Sequence, residues 1–290
     1  MSVTGESFLV GLIGDGVLPS LTPPMHEAEG DAHGLRYLYR PLDLAVLGRR
    51  PDELAAIIAE GRALGFSAFN VTHPCKRGVL SALDEVDPVA EAVGAVNTVL
   101  IIDGALVGHN TDVTGFASAL AAGLPGAGLG SVVLIGAGGA GAAVAHALLG
   151  AGVERLSIVD VLPASAARLA AGTAAAFPAA RVAVAAPDDL AALLADADGL
   201  VNASFVGMHS HPGIPVDAGL LHPGLWVADI VYRPVVTELV AAARAAGCRV
   251  LDGGQMAVGQ AADAFRLITG SEPDRARMHA HFLDLVAEGR

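Results

Sequence analysis

The chain has 290 residues, 53% of them hydrophobic and only 16% charged, with 36 glycines; this suits one large or two ordinary α/β domains with buried cores and excludes a disordered chain. A formal net charge of −13 repels phosphate backbones and anionic bilayers, so neither nucleic acid nor membrane is an expected partner, although the chain carries sixteen arginines. Cys75 and Cys248 lie far apart without CxxC spacing, and the ten histidines form no HExxH pair, so no disulfide framework and no metal site is expected.

The opening MSVTGESFLVGLIG lacks a basic segment followed by a separate apolar signal core, which makes the cytoplasm the expected location. FLVGLIG itself reads as a strand from Phe8. A helix is expected over 24–32, a strand over 36–40, and a helix over 51–64, opened by Pro51 and Asp52 and closed by Gly65. A strand over 66–71 and a helix over 76–83 follow. Apolar runs at 96–102 and 105–107 flank Asp103-Gly104, a strong hairpin turn.

After Asp112 the alternation becomes regular. Strands are expected at 132–135, 156–159, 181–184, 199–203, 226–231 and 249–251, with helices between most of them, which describes a doubly wound parallel sheet. The stretch 113–153 has no charged residue and superficially resembles a membrane span, but glycine and proline interrupt it as a buried βα unit requires. Helices over 254–267 and 274–287 have no strand left to feed and are expected to return to the first domain. The expected division is 1–113 plus 255–290 against 114–254.

VVLIGAGGAGAAVAHAL sets Gly136, Gly138 and Gly141 in GxGxxG spacing between a strand and a helix. The first glycine permits the turn, the second lets backbone approach a pyrophosphate, and the third allows close helix packing. Backbone from Gly136 through Ala137, Gly138, Gly139 and Ala140 then faces the anion at the helix N-terminus. Asp160 ends the next strand, where a carboxylate can bind the adenosine ribose and repel the 2′-phosphate of NADP. No arginine or lysine lies over 161–167 to neutralise that phosphate, so NAD is the expected cofactor; Arg168 is the one nearby cation that an NADP reading would need.

Lys76 is the only lysine. Arginine serves everywhere else a positive charge is needed, and it stays protonated, whereas a lysine can exchange its proton. That makes Lys76 a candidate proton-transfer group.

The strings GLIGDGVLPSLTPPMHEAEG, NVTHPCK, GAVNTV, GHNTDVTGF and DGGQMAVGQAADAF, with the glycine fingerprint between them, resemble the shikimate/quinate dehydrogenase family in type and order over nearly the whole chain. The resemblance implies a two-domain α/β fold, with a mixed sheet in the substrate-binding catalytic domain and a Rossmann-type parallel sheet in the dinucleotide domain. Lys76 and Asp112 become the catalytic pair. Ser20, Thr22 and Tyr232 would hold the substrate carboxylate, and Thr72, Asn97, Asp112 and Gln260 the ring hydroxyls. Ser204, Ile230, Gly253 and Met256 join the cofactor contacts. The implied reaction is reversible oxidation of quinate and shikimate by NAD in a monomer or homodimer.

Each polar residue also has a local reading. Ser20 and Thr22 can cap the helix that follows, Thr72 and Asn97 can satisfy nearby backbone, and Asp112 can cap the helix from Thr114. A carboxylate beside a lysine favours its protonated form, whereas burial favours the neutral amine, and both effects stay open for the pair. The chain departs from the common family pattern at Pro19-Ser20 and Thr22, a form similar to the bacterial NAD-linked branch that accepts quinate, and at Ser204-Phe205-Val206, where Thr-Pro-Met or Thr-Pro-Leu is more usual. Two rival readings remain: an NADP-linked shikimate dehydrogenase, and a noncatalytic sensor of the same metabolites.

Overall fold

The computed structural model describes residues 7–289. The first six residues, on which part of the signal-sequence reading rests, lie outside that range. The chain divides into two compact units: one takes the described residues up to Thr111 and those from Gln260 onward, the other Asp112–Gly259.

The first unit is built on a mixed sheet in the order β2-β1-β3-β5-β6-β4. Its strands are β1 (Ser7–Gly14), β2 (Arg36–Asp43), β3 (Ala68–Val71), β4 (Glu85–Val86), β5 (Thr98–Ile102) and β6 (Ala105–His109). β1 pairs in parallel with β2 and β3, while β5 runs antiparallel to both β3 and β6. The β5–β6 hairpin turns at Asp103 and Gly104, with φ of 50° and 85°, the doubly left-handed backbone that an Asp-Gly pair tolerates. Helices α1 (Thr22–Ala32), α2 (Leu44–Leu47), α3 (Leu54–Ala63) and α4 (Pro88–Val93) complete the N-terminal part. One side of the sheet packs Ile57, Ile58, Phe69, Val79 and Val99 together, and another core gathers Val10, Tyr37, Tyr39 and Phe265.

The helix expected over 76–83 is a turn followed by a 3-10 helix, Gly78–Ala82. The reason is a competing acceptor: the Lys76 carbonyl takes the Val96 N–H at 2.8 Å and is not used by an α-helical ladder. The strand expected from 96 begins at Thr98. α4 is an element the spacing argument passes over, although its punctuation is present. Asp87 caps it by accepting from the Val89 N–H, Pro88 opens it, and Gly94 closes it at φ 66°.

The second unit is a six-stranded sheet, all parallel, in the order β12-β11-β10-β7-β8-β9. The strands are β7 (Val132–Ile135), β8 (Arg155–Val159), β9 (Arg181–Ala185), β10 (Gly199–Asn202), β11 (Trp226–Asp229) and β12 (Arg249–Leu251). This is the doubly wound order, with its reversal between β7 and β10. Helices α5 (Thr111–Gly123), α6 (Gly139–Gly150), α7 (Pro163–Ala176), α8 (Leu190–Ala195) and α9 (Glu238–Ala245) flank the strands. β7, β10 and β11 are buried throughout, as expected for central parallel strands covered on both faces. Among the described residues no helix is long and apolar enough to cross a membrane.

The last two helices are α10 (Gly253–Thr269) and α11 (Arg275–Ala287). Phe265 of α10 stacks on Tyr37 with ring centroids 5.4 Å apart, and α11 is tied to α1 through Glu29 and Arg277. Both contacts belong to the first unit, so the chain returns to it after the parallel sheet is complete.

Candidate active site

In the first unit, β1 and β3 run in parallel and β5 runs against β3, so the ends of the first two strands and the start of the third share one edge of the sheet. Three candidate residues, Thr72, Lys76 and Asn97, gather there. Thr72 follows β3, with its N–H on the Ile13 carbonyl of β1, and Lys76 lies four residues further on. The Lys76 carbonyl binds the Val96 N–H, and the Asn97 carbonyl binds the Val71 N–H, so the lysine and asparagine segments are stitched together by backbone. Gly14 makes room for this packing, since a Cβ there would collide with Thr72 and approach Val17 to 2.9 Å.

The Ser20 loop reaches the same edge through an anchor that sequence spacing does not reveal. Buried Asp43, paired with Gly14 across the sheet, accepts from the Val17 N–H at 2.7 Å and fixes the loop between β1 and α1. Ser20 Oγ accepts from the Thr22 N–H at 3.3 Å. The cap position of α1 is Leu21, which makes no capping bond, so Ser20 meets the first N–H of the helix from one residue before the cap.

Asn97 is 4% exposed and sits in a buried polar chain. Its Oδ1 accepts from the Thr111 N–H at 2.8 Å and from Thr98 Oγ1 at 3.1 Å. Behind Thr98 stands Asn70, whose Nδ2 donates to Thr98 Oγ1 at 2.9 Å while its Oδ1 accepts from Tyr39 Oη at 2.5 Å. The local reading of Asn97 is therefore right in part, because it does satisfy a backbone N–H. Gln260 is half-buried on α10 in the same unit.

The second unit carries Asp112 and Tyr232. Asp112 is buried in the first turn of α5, one residue inside the helix start. Tyr232 is half-buried just beyond β11.

At the end of β7, Gly136 has φ 102°, and a Cβ would come within 2.6 Å of the Ala203 carbonyl oxygen. Gly141 lies so close to the Gly136 carbonyl that any Cβ would overlap it. Gly138 caps α6 with no side-chain hydrogen bond and open space around its Cα, so the first N–H groups of a 12-residue helix face outward past Gly139 and Ala140. A backbone-lined, side-chain-free helix start of this kind fits the pyrophosphate of a dinucleotide. Asp160 follows β8. Its two oxygens accept from the Ala137 N–H and the Leu162 N–H, both at 2.7 Å, which fixes the carboxylate beside the glycine turn and leaves lone pairs for further donors.

Ser204 and Gly253 make two separate backbone contacts. The Ala203–Ser204 peptide packs on Gly136, and Gly253 fits against the carbonyls of Ile230 and Val231, the latter within 2.5 Å of its would-be Cβ. Met256 is buried one turn along α10. Behind Ser204 and Ile230 lies a cluster that motif spacing does not single out, made by Asn202, Asp229 and Thr237. Burial pushes the Asp229 carboxyl above the usual range, against hydrogen bonds from Thr237, Val231 and Asn202 that lower it.

The comparisons with known proteins agree with this architecture. The family profile described as the shikimate dehydrogenase substrate binding domain matches residues 12–99. The chain is 59% identical over 287 residues, covering 99% of this chain and 98% of the relative, to a protein of Pseudarthrobacter chlorophenolicus named shikimate dehydrogenase (NADP(+)). It is 49% identical over 283 residues, 97% of this chain and 99% of the relative, to a protein of Corynebacterium efficiens named quinate/shikimate dehydrogenase (NAD(+)). Among solved structures it is similar to quinate dehydrogenase from Corynebacterium glutamicum in complex with NAD, with a TM-score of 0.91, 46% identity, and coverage of 97% of this chain and 100% of that one.

Proposed function

The chain belongs to the shikimate/quinate dehydrogenase family and is an oxidoreductase that uses a nicotinamide cofactor; we propose that the cofactor is NAD and that the reaction is reversible oxidation of a ring hydroxyl, of quinate to 3-dehydroquinate and of shikimate to 3-dehydroshikimate. The observation that carries the cofactor choice is Asp160, a carboxylate held in place by two backbone N–H groups at the end of β8. The names of the relatives divide between NAD and NADP, so the decision rests on this chain's own ribose end. Two like charges 4 Å apart repel by about 4 kcal/mol at an effective dielectric of about 20. The NADP reading, favoured by the relatives at higher identity, needs Arg168, which is on the surface of α7 with its Nη2 on Ser165 Oγ at 3.0 Å.

The glycine turn would hold the pyrophosphate, and the bound dinucleotide would supply the hydride acceptor at its nicotinamide ring. Lys76 takes the hydroxyl proton at Nζ as the hydride leaves, with Asp112 as its partner, and returns it in the reducing direction. Ser20, Thr22 and Tyr232 bind the carboxylate through neutral donors, while Thr72, Asn97, Asp112 and Gln260 bind ring hydroxyls. Ser204, Ile230, Gly253 and Met256 hold the cofactor beyond the glycine turn. The proposed setting is the cytoplasm.

Initial rates with quinate and shikimate, each against NAD and NADP, test the assignment. Catalytic efficiency is expected to be at least about tenfold higher with NAD, an effect that corresponds to only ~1.4 kcal/mol. Equal efficiency would sink the NAD assignment, and Asp160→Ser is expected to narrow the gap mainly by weakening NAD binding. A chain that binds these acids without forming product would be a sensor instead.

The quinate pocket has its own test. Quinate has an extra hydroxyl and a tetrahedral carbon beside its carboxylate, and Thr22 lies at the start of α1 where that end is held. Thr22→Ala is expected to raise KM for quinate more than it lowers kcat, as lost ground-state and transition-state binding together would do. Shikimate turnover without any quinate turnover would refute quinate as a substrate.

A further inference from the structure

Asp229 ends β11 at 2% exposure, and the mechanism above gives it no role. A buried carboxylate is costly unless donors satisfy it, and here three do. Asn202 Nδ2 and the Val231 N–H donate to Oδ1, both at 3.0 Å, and Thr237 Oγ1 donates to Oδ2 at 2.7 Å. Each donor governs a different segment. Asn202 Oδ1 accepts from the Ser204 N–H at 3.1 Å and from Ser204 Oγ at 2.6 Å, and its Nδ2 also reaches the Val206 carbonyl at 2.9 Å. The Val231 peptide is the surface on which Gly253 packs. Thr237 caps α9 by accepting from the Val240 N–H at 3.1 Å, and its Cγ2 lies 3.3 Å from the site of a Cβ on Gly207, which has φ 106°.

These contacts converge where the chain departs from its family's usual sequence. A proline after the first hydroxyl residue would fix its own φ, whereas Phe205 leaves its backbone to be held by neighbours: its ring lies 5.9 Å from His211, its carbonyl accepts from the Met208 N–H, and the Gly207 N–H donates to the His211 carbonyl. The start of this loop is also held by side-chain hydrogen bonds: the Val206 N–H donates to Ser204 Oγ, the Ser204 N–H and Oγ donate to Asn202 Oδ1, and Asn202 Nδ2 donates to the Val206 carbonyl. Asn202 in turn has its amide oriented by Asp229.

We propose that Asp229 is a positioning residue for the cofactor: through Asn202, the Val231 N–H and Thr237 it fixes the 204–207 loop, whose start packs on the glycine turn, and the 230–231 backbone, on which Gly253 packs. The inference rests on the reading of Ser204, Ile230 and Gly253 as cofactor contacts. A scaffold role alone would change stability and leave cofactor affinity of the folded protein as it was.

The test uses the full chain with NAD as the probe, and reads the dissociation constant for NAD, KM for NAD, kcat and melting temperature. Asp229→Val removes the hub at similar volume and is expected to raise both NAD constants about tenfold and to lower kcat. Asp229→Asn is expected to recover most of the loss, because its carboxamide oxygen still accepts from Asn202 and Val231 while its amide can donate to Thr237 Oγ1. If Asp229→Val does not fold, Thr237→Val against Thr237→Ser decides, with only the valine variant expected to lose NAD affinity. A lower melting temperature with unchanged NAD constants in the folded protein would overturn the inference alone. Failure of the wild type to bind any nicotinamide dinucleotide would overturn the functional reading and this inference with it.

Discussion

Lys76→Ala is expected to cut turnover by about 10²- to 10⁴-fold, the usual contribution of a positioned acid-base group, with little loss of NAD affinity. Lys76 is held by its own backbone, through the Val96 N–H on its carbonyl, so truncating the side chain leaves the loop that carries it in place. Lys76→Arg is the sharper substitution. It keeps the charge but brings a planar guanidinium that does not give up its proton, and if Lys76 transfers a proton this variant is impaired almost as severely as the alanine one. A purely electrostatic role predicts substantial activity in the arginine variant, in a chain that uses arginine at every other basic position. Stopped-flow or steady-state rates of quinate and shikimate oxidation decide it, and near-normal turnover by Lys76→Arg with NAD binding intact would remove Lys76 from the mechanism.

What the sequence discloses about this protein depends on how far apart the interacting residues lie. The central parallel strands are legible because each is a short apolar run whose burial on both faces needs no knowledge of its partner, as for Val132–Ile135 and Gly199–Asn202. The glycine fingerprint is legible for the same reason: Gly136 and Gly141 meet each other within one turn. A helix over 76–83 fits the local spacing, yet a residue twenty positions later, Val96, claims the carbonyl that the helix would need. The supports of the candidate site are long-range in just this way. Asp43 reaches Val17 across 26 residues, Asn70 reaches Thr98 across 28, and Asn202 reaches Asp229 across 27. No spacing rule selects those partners, because only the sheet register brings them together, and so motif residues are visible in the sequence while the residues that orient them are not.

The same limit hides the ion pair that ties α11 to α1, and its removal is expected to have the second large effect. Glu29, 1% exposed on α1, accepts from Arg277 Nε at 2.9 Å and Nη2 at 2.6 Å, from the Asp274 N–H at 2.8 Å, and pairs with His33 Nε2 at 3.1 Å. Glu29→Ala deletes a bidentate charge-assisted pair and leaves the Asp274 N–H without its acceptor, while the half-exposed Arg277 is solvated once released, so amide protection across α11 is expected to fall by about tenfold. Burial alone would push the Glu29 carboxyl up, but the hydrogen bonds from Arg277, Asp274 and His33, with the Arg277 charge, outweigh it and hold the group below its ordinary value of 4.5. A carboxylate depressed by folding adds stability that is fully present above its unfolded value and is lost as pH falls through the folded one. The difference between wild type and Glu29→Ala is therefore expected to be full at neutral pH and to shrink as the pH drops below about 4. Amide hydrogen exchange of Arg275–Ala287 reads this opening directly, without assuming that two units unfold as one. Equal protection of α11 in wild type and variant at neutral pH would show that apolar packing by Met278, Phe282 and Leu285 holds the helix without the ion pair.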